Sequence, residues 1–133
     1  MTFDEIELSL PNGFHDATIL NVSFDFLKGS ALIRLSVHVS ADGDDNRERY
    51  RVGLLEANSV HLFFIERPDP DYFVGQIENG ICVSGDSVRV VQGAEIDPLL
   101  SKLPSGINVY RFFMESWNSF FYIAASVATF SWE

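Results

Sequence analysis

The segment Ala17-Thr18-Ile19-Leu20-Asn21-Val22-Ser23-Phe24-Asp25-Phe26 alternates in hydropathy, and so does Ala31-Leu32-Ile33-Arg34-Leu35-Ser36-Val37-His38-Val39 just after it. In the first, Thr18, Leu20, Val22, Phe24 and Phe26 share one parity, with Asn21, Ser23 and Asp25 on the other. In the second, Ala31, Ile33, Leu35, Val37 and Val39 form an apolar face against Leu32, Arg34, Ser36 and His38. A period of two places successive side chains on opposite faces of a strand, so each segment reads as a half-buried strand. Leu27-Lys28-Gly29-Ser30 lies between them and supplies a turn. The two segments therefore predict an antiparallel hairpin, and the rest of the chain is read outward from it.

Ser40 to Asn46 is a polar tip rich in Asp and Gly, after which Tyr50, Val52 and Leu54 alternate in a third strand. Val60 to Ile65 is a more continuous apolar run, which suits a strand covered on both faces. Pro68 and Pro70 stop it, because proline donates no ladder bond and restricts the residue before it. Gly80 to Ser84 and Ser87 to Gln92 read as a weaker strand pair joined near Gly85-Asp86. Asp97 to Leu103 predicts one short helix, with Asp97 as cap and Pro98 in the first turn. Ile107 to Trp117 and Phe120 to Trp132 close the chain as strands about Asn118-Ser119. At the N-terminus, Thr2 and Glu5 match a capping box while Ile6, Leu8 and Leu10 also alternate, so helix and strand both stay open there. The sum is about eight strands and one helix near 97–103. It predicts a single mainly β domain, with α+β as the variant: an antiparallel meander forming a sandwich or a partly open barrel.

The 133 residues are 47% hydrophobic and carry a formal charge of −10. Residues 1–100 hold 17 acidic and 7 basic side chains, whereas the last 33 are balanced and contain 9 of the 18 aromatics. The ring-rich tail is thus the expected heart of the core. An acidic surface with no Lys/Arg cluster disfavours nucleic acid and favours a basic protein partner. Met1 to Glu7 lacks the features of an export signal, so a cytoplasmic location is expected. The longest uncharged stretch, Ser116 to Trp132, is 17 residues and contains Asn, Ser and Thr, so no membrane role is expected.

Catalytic signatures are sparse. Asp42, Asp44 and Asn46 begin a calcium-loop pattern that fails at Arg47, where glycine is required, and at Gly53, where glutamate is required. No nucleophile elbow, phosphate loop or dinucleotide fingerprint occurs. Cys82 is the only cysteine and reads as a small strand residue. His61, inside an apolar run, reads as a core histidine, and His38 falls on a polar face. The expectation is no catalytic residue, no metal and no cofactor.

At Pro11-Asn12-Gly13-Phe14-His15-Asp16-Ala17 the chain resembles a group of small bacterial domains that open with a Gly-Phe-His-Asp-Ala segment, and is similar to some immunity proteins of toxin systems. Tyr50-Arg51 opening a strand, Ile65-Glu66-Arg67-Pro68 closing one, and Asn118-Ser119-Phe120 at the last turn fit the same outline. The resemblance implies a bacterial domain and an immunity-type function. Two readings follow: a non-enzymatic binding protein for a basic partner, or an enzyme or small-ligand binder whose barrel-mouth pocket is lined by His15, Asp16, Tyr50 and Arg51. Self-association as a homodimer through an unpaired C-terminal strand is a third expectation.

Overall fold

The fold was described from a computed structural model, which describes residues 1–40, 49–71, 80–88 and 97–133, without the side chains of 84, 86–88 and 97. The calcium-like tip at Asp42, Asp44 and Asn46 and the capping side chain of Asp97 lie outside the described residues. Six strands are described: β1 (Ala17–Asp25), β2 (Ser30–His38), β3 (Tyr50–Ile65), β4 (Ile81–Val88), β5 (Val109–Met114) and β6 (Ser119–Trp132). They are joined by helix α1 (Phe3–Ser9), helix α2 (Asp97–Leu100) and a 3₁₀ turn at Glu115–Trp117.

All neighbours are antiparallel, in the order β1-β2-β3-β6-β5-β4, and β4 returns to β1 to close a barrel. The mainly β reading holds, and the barrel is closed rather than partly open. Closure is narrow: three residue pairs, Ala17↔Val83 to Ile19↔Ile81, join β1 to β4. The β3–β6 seam, by contrast, runs from Gly53↔Trp132 to Ile65↔Phe121.

The eight expected strands become six for identifiable reasons. The third and fourth are one continuous β3, in which Ser59 takes a positive φ of 53°. A register shift between Val60 and Leu62 leaves His61 as an extra residue. That bulge turns His61 outward, so it is exposed and bonded to Ser126 at 3.0 Å rather than held in the core. The expected turn at Gly85-Asp86 lies inside β4. A Cβ at Gly85 would meet the Tyr110 ring, so this glycine permits close packing and does not reverse the chain. The helix at 97–103 is α2 followed by two i→i+3 bonds, Lys102 to Leu99 and Leu103 to Leu100, each 3.2 Å.

The N-terminal ambiguity resolves as helix. Thr2 Oγ1 accepts from the Glu5 backbone at 3.2 Å while the Glu5 carboxylate accepts from the Thr2 backbone at 2.7 Å, which satisfies two otherwise orphaned donors. This α1 buries Phe3 and Ile6, and together with Leu10 and Phe14 they join the barrel interior. The interior is filled by Ile33, Leu35, Leu55, Phe112, Phe121 and Ile123, as expected of a barrel too narrow to hold a cavity. Tyr110, Phe112 and Phe121 are among the largest fully buried side chains and belong to this interior cluster, so the aromatic tail supplies the centre of the core. Outside the barrel, Tyr122 and Ala124 pack under Leu100, Leu103 and Ile107 from α2 and its turn. That cover explains why Phe120 to Ala124 and Leu62 to Phe64 are apolar at every position.

The C-terminal strand, expected to offer a pairing edge, is bonded to β3 along one side; on the other it pairs with β5 from Ser119 to Ala124, and beyond that Ala128 N–H donates to the Met1 carbonyl at 2.7 Å.

Candidate functional site

The loop between α1 and β1 carries the Gly-Phe-His-Asp segment. Phe14 is fully buried and packs edge-on against Tyr110 and Phe112, at 6.0 and 5.4 Å. Asn12 Nδ2 donates to the carbonyls of His38 and Ser40, at 3.1 and 2.8 Å, which fastens the loop to the end of β2. With Phe14 as anchor, His15 is left on the surface, its side chain 73% exposed and its Nε2 3.6 Å from Asp16 Oδ2. Asp16 adopts φ 59°, a left-handed conformation that Asp tolerates better than most residues. The loop's structural role is therefore carried by Asn12 and Phe14, and the polar pair faces solvent.

Of the four residues expected to line one pocket, the structure brings His15 to Asp16 but divides the other two. Tyr50 and Arg51 are consecutive in β3 and point to opposite faces of the sheet. Tyr50 pairs across from His38 and stacks on its ring at 5.2 Å. Arg51 pairs across from Val37, whose side chain is fully buried, and lies over the Trp132 ring at 4.8 Å. The four do not converge on one pocket.

Asp16 instead meets two residues that the sequence reading had not joined to it. Its carboxylate, Cys82 Sγ of β4 and the Glu115 carboxylate of the 3₁₀ turn after β5 all lie within 4.8 Å of one another. The cause is the β1–β4–β5 seam: Thr18 pairs with Cys82, and Val83 pairs with Met114, which places the outward side chains beside each other. Burial pushes the Cys82 thiol up from its ordinary pKa. Glu115, which accepts its hydrogen bond, and then Asp16 push it further, against a smaller opposing effect of the Val83 backbone. No sequence signal could have joined three residues so far apart in the chain.

A second surface lies at the β1–β2 turn. Phe26 is 89% and Leu27 100% exposed, and Phe26 packs edge-on against Phe24 at 5.0 Å. The turn is held in place: Asp25 Oδ1 accepts from the Leu27 and Lys28 backbones at 3.0 and 3.1 Å, Gly29 takes φ 63°, and Gly29 O accepts from Val60 N–H at 2.9 Å. Beside the tip is an open cleft of about 250 Å³, bordered by Asp25, Lys28, Leu32 and Glu56. An apolar knob thus stands next to a polar recess holding two carboxylates and one ammonium.

No family model, curated protein or solved structure matches this chain. No helix among the described residues is long and apolar enough to cross a membrane.

Proposed function

We propose that this chain is a non-enzymatic, cytoplasmic binding protein that engages a basic protein partner, in the manner of an immunity protein, through the β1–β2 tip. The observation that carries the reading is the fixed exposure of Phe26 and Leu27 beside Asp25 and Glu56. Two large apolar side chains held in water by a hydrogen-bonded turn cost solvation, and ordering them beforehand removes part of the entropy lost on association. Interface energy concentrates in such apolar anchors, while the formal charge of −10 steers a cationic partner and fixes its orientation. The pocket alternative loses support because Tyr50 and Arg51 point apart.

The test is calorimetry of the whole chain against the cationic proteins encoded in its genomic neighbourhood, at low and high salt. The reading expects a complex that weakens with salt and loses at least about tenfold affinity on Phe26→Ser, the scale of an interface anchor. Binding to none of them, or binding indifferent to salt and to Phe26→Ser, overturns it.

A further inference from the structure

We infer that Asp16, Cys82 and Glu115 form a surface site for one thiophilic divalent cation of the zinc class. Carboxylates alone would amount to a solvated acidic patch. Here the set is mixed: one thiol and two carboxylates, donor types that bind zinc. The three donor atoms come from three separate elements, the α1–β1 loop, β4 and the 3₁₀ turn after β5, and already lie within 4.8 Å of one another. Zinc binds its donors at about 2.0–2.3 Å, which places two of them at most about 4 Å apart, so closing the site requires side-chain movements of under about 1 Å per donor. His15 Nε2 lies 3.6 Å from Asp16 Oδ2 but outside the three-donor cluster, so the fourth position of a tetrahedral ion would fall to water.

The donor types also choose the ion. Calcium and magnesium take oxygen ligands and have little use for sulfur, whereas a thiolate selects zinc and its softer neighbours. Binding converts Cys82 S–H into a sulfur–metal bond and releases the thiol proton to solvent, with no change of oxidation state. The cation also relieves the repulsion between two carboxylates held against a half-buried sulfur. This site stands apart from the β1–β2 tip and does not depend on it.

Cobalt(II) is the probe, because a thiolate ligand gives it a near-ultraviolet charge-transfer band, and Cys82 is the only cysteine in the chain. Titrating the reduced protein should raise that band to saturation at one equivalent, and added zinc should abolish it. Cys82→Ala should remove the band. Asp16→Asn and Glu115→Gln should each weaken cobalt binding by at least about tenfold, the smallest loss usual when a partner of a bound metal is removed. Circular dichroism verifies that each variant is folded, and the two that retain the thiol keep the test decisive if Cys82→Ala is not. No band with excess cobalt, saturation at half an equivalent, or a band unchanged in both of those variants overturns the site.

Discussion

The Tyr110 hydroxyl donates a 2.6 Å hydrogen bond to the Glu7 carboxylate, joining the middle of the barrel to a helix 103 residues earlier. Tyr110 is 1% exposed, and Phe3 of the same helix stacks on its ring at 5.4 Å. The apolar face of α1 and this one polar contact therefore act at the same place. Tyr110→Phe keeps the ring packing and removes the donor to an anionic acceptor, at a cost of about 1.5–3 kcal/mol. Urea unfolding should show this as a lower midpoint with an unchanged slope, and a stability equal to that of the parent would show that the bond contributes nothing.

Gly85 tests the other side of the same ring. A Cβ there would press on the Tyr110 hydroxyl and ring edge, and Tyr110 cannot yield because Glu7, Phe14 and Phe112 hold it. Gly85→Ala should destabilise by about 1–3 kcal/mol, the usual cost of overpacking. In the Tyr110→Ala background the same change should cost much less, since the obstructing group is gone. Additive losses in the double variant would exclude this contact as the cause.

The hairpin was legible because its period-two pattern is local, and so was the chain stop at Pro68 and the central place of the aromatic tail. What escaped the reading depended on contacts between distant segments. The expected face Thr18, Leu20, Val22, Phe24 is correct only from Val22 onward. β1 pairs Ile19 with Leu35 and then Asn21 with Arg34, so Leu20 is an extra residue and the inward side chains before it are Ala17 and Ile19. A bulge reverses parity without leaving a mark in hydropathy. The same holds for His61 and for Gly85, whose meaning depends on a ring from β5. Among the site residues, the His15–Asp16 contact was legible as a neighbouring pair. The approach of Asp16 to Cys82 and Glu115 was not, because it follows from barrel closure.

Deleting Leu20 should therefore leave the register of the strand intact. Deletion removes the bulge and joins the Ile19↔Leu35 pair directly to Asn21↔Arg34, so Ala17 and Ile19 stay inward and Thr18 outward. Those three residues form the whole of the three-pair β1–β4 seam. The deletion variant, like Leu20→Ala, should keep the dispersed amide spectrum of a folded barrel. A collapsed spectrum from the deletion variant would mean that the bend supplied by the bulge is itself needed to close the seam.

Cys82 should be a sluggish thiol in the metal-free protein. Its pKa is raised by burial and by the carboxylates of Glu115 and Asp16, so the thiolate fraction near neutral pH is below that of a free cysteine. Alkylation by iodoacetamide should be slow and should accelerate only at more alkaline pH. Glu115→Gln removes one of the raising groups and should shift the rate profile toward lower pH. An unshifted profile would remove Glu115 as a cause and leave burial and Asp16.

Arg34 and Glu133 give the stability a dependence on acid. The guanidinium of β2 reaches across β3 to the carboxylate that follows β6, with Nε–Oε2 at 2.6 Å and Nη2–Oε1 at 2.9 Å. The paired arginine holds the Glu133 carboxyl below its ordinary range, so the folded chain binds that proton less readily than the unfolded chain. Stability from the pair is thus present above the ordinary carboxylate pKa and is lost as the pH falls through and below it. Both groups are exposed, so the contribution is small and screened by salt. Thermal melts should show Arg34→Gln slightly less stable than the parent at neutral pH and low salt. The gap should close both in acid and at high salt, and a gap that persists in acid would assign the loss to packing of the arginine stem over β3.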